Sequence, residues 1–178
     1  MSLANKITIV RIMLVPIFMA LLLSDFPYSN FIAALIFIVA ASTDTVDGYI
    51  ARKRNEVTTF GKFIDPLADK ILVTAALVIL VEMGKISSIV AIIIITREFI
   101  ITGFRVIAAS EGIVIAASWW GKAKTIIQII AIVAIILDNI PFKWIGIPFD
   151  RIALILAVMI TIISGLDYII KNFNILSQ

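Results

Sequence analysis

The chain has 178 residues, 62% of them hydrophobic and 15% charged, with a net charge of +3 and a mean hydropathy of +1.14. Soluble domains carry about 45–50% apolar and about 25% charged residues, so this chain has too little polar surface for water and is expected in a bilayer. With no cysteine or histidine, disulfides, thiol nucleophiles, imidazole bases, haem and zinc are excluded; any metal must be hard and oxygen-bound, and the small net charge does not point to nucleic acid.

A spanning helix needs about 20 mainly apolar residues. Such runs predict six transmembrane helices, near 7–24, 30–52, 64–83, 86–109, 119–138 and 150–171, in an all-α integral membrane protein. Lys6 and Arg11 precede the first apolar run as in a secretion signal, but no small-residue cleavage site follows, so it reads as a retained segment. Arg11 and Pro16 interrupt that run, and its opening turns are expected as an interfacial helix along the membrane surface. Short connections leave no room for a second domain, and 1–178 is taken as a single catalytic domain.

Basic residues set the orientation. Lys6 and Arg11 flank the start, Arg52, Lys53, Arg54 and Lys62 fill the second connection, Lys122 and Lys124 the fourth, and Lys171 the end. The opposite connections are poorer, so both termini and the 52–63 loop are expected on the cytoplasmic side. Trp119, Trp120 and Trp144 fall near span ends, where aromatic belts form.

The anomaly is four aspartates, Asp44, Asp47, Asp65 and Asp69, at the cytoplasmic ends of two adjacent spans. An aspartate at mid-helix costs about 2.5–3.5 kcal/mol on insertion scales, so something must offset them. On a helix Asp44, Asp47, Gly48, Ala51 and Arg52 share one face, and Asp65 and Asp69 share another. Converging carboxylates suit two Mg²⁺ or Mn²⁺ ions, which about 3.5–4 Å apart clamp the oxygens of a phosphoryl displacement. Gly48 and Ala51 would let a phosphorylated ligand approach the backbone, with Arg52 on its phosphate. Singly, each aspartate could equally be a surface carboxylate paired with Arg52, Lys53, Arg54, Lys62 or Lys70.

The stretch 44–69, DTVDGYIARKRNEVTTFGKFIDPLAD, resembles the signature of the CDP-alcohol phosphatidyltransferases, D-x-x-D-G-x-x-A-R, eight residues, then G-x-x-x-D-x-x-x-D, at every fixed position. The resemblance implies a six-helix membrane enzyme with two divalent cations. Asp44, Asp47 and Asp65 would hold one ion, Asp47, Asp65 and Asp69 the other, and Asp69 would also take the proton of the attacking alcohol. It further implies that Gly48, Arg52 and Thr58, with Ala51 beside them, contact the cytidine diphosphate group. By the same analogy Asn5 and Thr8, on one face with Arg11, contact the lipid nucleotide, the ordinary alternatives being Asn5 as a helix N-cap and Arg11 as a snorkelling cation.

The shared motif does not select the acceptor. Arg97 and Arg105 lie on one face of the fourth span, and Lys122 and Lys124 open the next, a set suited to an acceptor bearing its own phosphate. Pairing of Arg97 with Glu98, and positive-inside anchoring by the lysines, are the competing roles. NKITIVRIMLVP, REFIITGFR and GKAKTIIQ resemble the branch of the family that uses CDP-diacylglycerol and sn-glycerol 3-phosphate. That implies phosphatidylglycerol phosphate and CMP as products, a homodimer, and a multi-pass protein of the bacterial cytoplasmic membrane with its site facing the cytoplasm. Inositol phosphate, serine and phosphatidylglycerol are the alternative acceptors. A cation-coupled transporter would want acidic groups at the midplane in repeated halves, whereas these cluster beside one basic loop without a second copy.

Overall fold

The computed structural model describes residues 3–53, 59–110, 112, 113, 115 and 119–172, and side chains within them except at 3–5, 44–53, 59–66 and 69. The described residues form six α-helices and one 3-10 turn: α1 (Leu3–Leu22), α2 (Ser29–Lys53), α3 (Thr59–Glu82), α4 (Ser88–Ser110), α5 (Trp119–Ile136), the turn at Phe142–Ile145, and α6 (Phe149–Asn172). The helices fall within a few residues of the expected spans. Apolar stretches long enough to cross a bilayer occur in α5 and α6, while Ser29–Thr43 in α2 is a shorter apolar stretch. In α4 the run is broken by Arg97, Glu98 and Arg105, so composition alone does not mark it as a span.

The chain divides into two compact units, one holding α1, α2, α3 and Ile135–Asp138, the other α4, the rest of α5, the 3-10 turn and α6. In the first unit α1 packs on both α2 and α3, and α2 on α3. One stripe of α1, Thr8, Arg11, Val15, Phe18 and Leu22, is buried, and Phe18 meets Phe37 of α2 with ring centroids 5.7 Å apart. Facing it, Ala33, Ala34 and Ala40 of α2 and Ala68 and Ala76 of α3 are buried, and such small residues let helix backbones approach closely.

The helix of α1 runs unbroken through Arg11 and Pro16 from Leu3. Proline removes one helical hydrogen bond. The packing of Val15, Phe18 and Leu22 on either side holds the helix through it. Arg11 is also not a snorkelling cation: it is 1% exposed. A guanidinium so buried is tolerated only where other groups compensate its charge.

Helix ends follow from local backbone chemistry. After α3, Gly84 adopts φ +69°, with its N–H donating to Val81 O (2.9 Å) and Lys85 N–H to Leu80 O (2.9 Å). This closing pattern requires a left-handed residue, which glycine supplies without strain. At the end of α5 Asp138 takes the same role at φ 52°, and its carboxylate is held by Lys85 Nζ (2.8 Å) and Asn30 Nδ2 (3.1 Å).

In the second unit α4 packs on α6. Ile101, Phe104 and Tyr168 form one buried cluster, with the Phe104 and Tyr168 rings edge-on at 5.7 Å, and Ala131, Ala153 and Ala157 form another where α5 meets α6. On both units large apolar side chains also point outward, among them Met13, Leu35, Ile92, Val106, Ile155 and Ile170. Lipid accepts such faces; water does not.

Candidate active site

The continuous helix of α2 puts positions 44, 47, 48 and 51 along one stripe. Positions 65 and 69 lie one turn apart on α3. The two helices pack together in the first unit and are joined by residues 54–58, so short a connection that they run antiparallel. Asp47 and Asp44 stand 6 and 9 residues before the end of α2, and Asp65 and Asp69 stand 6 and 10 residues after the start of α3. At 1.5 Å rise per residue both pairs lie about 9–15 Å in from the connected ends, at matching depth.

The side chains of Asp44, Asp47, Gly48, Ala51, Arg52, Asp65, Asp69 and Asn5 lie outside the described residues, as does Thr58 altogether. The depth match therefore rests on the helices alone. Thr8 is described: it is buried on the α1 stripe, one turn from Arg11, within the unit that carries the aspartates. As a donor set, four carboxylates without nitrogen or sulfur fit Mg²⁺ or Mn²⁺ and not a softer metal. Among the described side chains no group of three acidic residues that could hold a metal ion gathers.

The second unit holds the expected cations, but on different terms from one another. Arg97 Nη1 donates to Glu98 Oε1 at 3.2 Å and Nη2 to Ser164 Oγ at 3.0 Å. Lys124 Nζ, buried, donates to the same Glu98 oxygen. Gly165 makes the room for Arg97: a Cβ there would lie 3.2 Å from Arg97 Cγ. Arg105 is exposed, its guanidinium 5.5 Å over the Tyr168 ring and its Nε donating to Tyr168 Oη at 3.3 Å. Lys122 is exposed on the first turn of α5.

The sequence pattern of the CDP-alcohol phosphatidyltransferase family matches residues 1–163. The chain belongs to that family. A Bacillus subtilis (strain 168) protein named CDP-diacylglycerol–glycerol-3-phosphate 3-phosphatidyltransferase is 48% identical over 187 aligned positions, covering 98% of this chain and 97% of the relative. A Rickettsia bellii protein of the same name is 35% identical, covering 94% and 93%. A Mycobacterium tuberculosis (H37Rv) protein named "Probable phosphatidylglycerophosphate synthase" is 36% identical, covering 96% and 81%.

For this CDP-alcohol phosphatidyltransferase the reading of isolated residues missed the partners that hold the cations. In the sequence Glu98 stands out only as the neighbour of Arg97; the structure makes it the shared acceptor of Arg97 and Lys124. Ser164 and Tyr168 on α6 were not singled out, because nothing local marks a serine or tyrosine as the partner of an arginine more than sixty positions away. The spacing of Thr8 and Arg11 was visible, but not that both would be buried.

Proposed function

We propose that this enzyme transfers the phosphatidyl group of CDP-diacylglycerol to sn-glycerol 3-phosphate, giving phosphatidylglycerol phosphate and CMP. The observation that carries this reading is similarity along nearly the whole chain to relatives bearing that activity in their names. The complete aspartate motif on α2 and α3 supports it.

In this reading Asp69 takes the proton from the acceptor's primary hydroxyl. That oxygen attacks the phosphorus bearing diacylglycerol; a new P–O bond forms, the P–O bond to the CMP phosphate breaks, and CMP leaves with the electron pair. Gly48, Ala51, Arg52, Thr58, Asn5 and Thr8 bind the lipid nucleotide, and Arg97, Arg105, Lys122 and Lys124 receive the acceptor's phosphate. Divalent metal dependence is general in the family; Asp44, Asp47, Asp65 and Asp69 would hold two Mg²⁺ or Mn²⁺ ions, which supply charge withdrawal from the pyrophosphate when bound.

The protein is further placed as six spans in a bacterial cytoplasmic membrane, working as one catalytic domain in a homodimer, with both termini and the 52–63 loop on the cytoplasmic side. The clustering of basic residues at those ends supports the orientation. Purified protein given Mg²⁺, CDP-diacylglycerol and labelled glycerol 3-phosphate should release CMP and label the lipid, whereas serine and inositol phosphate should not substitute. Absence of labelled lipid with glycerol 3-phosphate would overturn the reading.

A further inference from the structure

The two arginines of α4 spend their guanidinium groups in opposite ways. Arg97, mostly buried, turns its terminal nitrogens into the protein, with Nη1 donating to Glu98 Oε1 and Nη2 to Ser164 Oγ. Arg105, about two turns further on, is exposed and uses its other edge. Its Nε donates to Tyr168 Oη at 3.3 Å, and among the described residues no acceptor takes either Nη.

Tyr168 is itself held firmly. It is 3% exposed, clustered with Ile101 and Phe104 where α4 packs on α6, and the Phe104 ring meets it edge-on with centroids 5.7 Å apart. The Arg105 guanidinium carbon lies 5.5 Å over the same ring, so one tyrosine grips the cation by its π face and by its hydroxyl together. A free surface arginine must lose rotamer freedom when it binds, and a side chain already oriented by its neighbours loses less. With the Nε donor committed to Tyr168, the remaining N–H donors of Arg105 sit on its two Nη atoms, the pair that grips two phosphate oxygens in parallel.

We propose that Tyr168 is a positioning residue for the acceptor: it holds Arg105 side-on, so that both Nη atoms are presented, already oriented, to the phosphate the acceptor carries. This rests on the acceptor reading above and on the phosphate role of Arg105 within it. Helix register agrees. Arg105 stands five residues before the end of α4, and Lys122, also exposed, three residues after the start of α5, so each lies about 5–8 Å along its helix from the ends that residues 111–118 join.

Tyr168→Phe keeps the ring, its packing and the contact between ring and cation, and removes only the oxygen that accepts from Nε. CMP release is followed for the full chain in mixed micelles with Mg²⁺. KM for glycerol 3-phosphate should rise by about three- to tenfold, the scale of one hydrogen bond, with kcat and KM for CDP-diacylglycerol within about twofold. A cycle with Arg105→Gln separates positioning from general support of the fold. If Tyr168 acts through Arg105, adding Tyr168→Phe to Arg105→Gln raises the acceptor KM no further, whereas a merely structural tyrosine adds its loss in either background. Additive losses overturn the proposal, and so does an unchanged acceptor KM in Tyr168→Phe or an equal rise for both substrates. Should Tyr168→Phe not fold, Arg105→Lys carries the question: lysine keeps the charge but cannot bond Tyr168 side-on and offer a fork at once, so the acceptor KM should rise by a similar factor. A lysine that serves as well as arginine overturns the proposal. If the intact enzyme does not use glycerol 3-phosphate at all, the acceptor reading falls and this proposal with it; if it does and the KM pattern fails, the role of Tyr168 alone falls.

Discussion

Replacing Glu98 by glutamine isolates the charge that holds two cations in place. Glu98 Oε1 lies 3.2 Å from Arg97 Nη1 and also accepts from Lys124 Nζ, with the Arg97, Glu98 and Lys124 side chains only 14%, 15% and 5% exposed. At such low exposure solvent screens little, and removing one partner of a buried ion pair costs about 3–5 kcal/mol because a charge is stranded. Glutamine keeps the shape and one oxygen acceptor, so the lower end, about 3 kcal/mol, is expected. For a chain of this size each kcal/mol moves Tm by about 2–4 °C, giving a fall of about 6–12 °C. Thermal unfolding of the purified protein in detergent, followed by circular dichroism, reads this directly. Adding Lys124→Met removes the ammonium that lost its Glu98 carboxylate, and the double variant should regain roughly half of the loss, since an apolar group of similar volume replaces a buried charge well. A fall below about 2 °C in the single variant, or a double variant no more stable than the single one, would refute the shared-acceptor argument.

Asp69→Asn should abolish CMP release while leaving the circular dichroism spectrum and Tm near those of the unmodified protein; retained turnover would remove Asp69 as the base. Arg105→Gln should raise KM for glycerol 3-phosphate by about tenfold, the worth of one charge-assisted hydrogen bond, with a much smaller change for CDP-diacylglycerol, and equal changes in steady-state kinetics would count against phosphate contact. Phe18→Ala, which empties a fully buried site against Phe37, should cost about 3–5 kcal/mol in the same unfolding assay. Chelation with EDTA should stop CMP release, and Mg²⁺ or Mn²⁺ should restore it without refolding.

Much of the architecture was legible because helices are local. Apolar runs of spanning length, bounded by turn residues such as Gly84 and Gly112, place each helix to within a few residues, and the 3.6-residue repeat shows which positions share a stripe. The D-x-x-D-G-x-x-A-R segment on α2 and the paired aspartates on α3 needed no tertiary information to be recognised, and they carried the family assignment and the expectation of two hard cations.

What the sequence by itself determined is thus the helical plan, the aspartate motif and the chemistry that motif allows. Tertiary structure decided which polar side chains meet. Arg97 finds Ser164 at a separation of 67 residues and Arg105 finds Tyr168 at 63, while Lys124 is drawn to Glu98. Such pairs depend on how ridges and small residues seat one helix against another, as Gly165 seats Arg97, and no local periodicity encodes that. The same packing buried Arg11, for which a snorkelling cation was the ordinary alternative, and left the Gln128 amide without a partner among the described residues, because burial is a property of the assembled helices and not of any one of them.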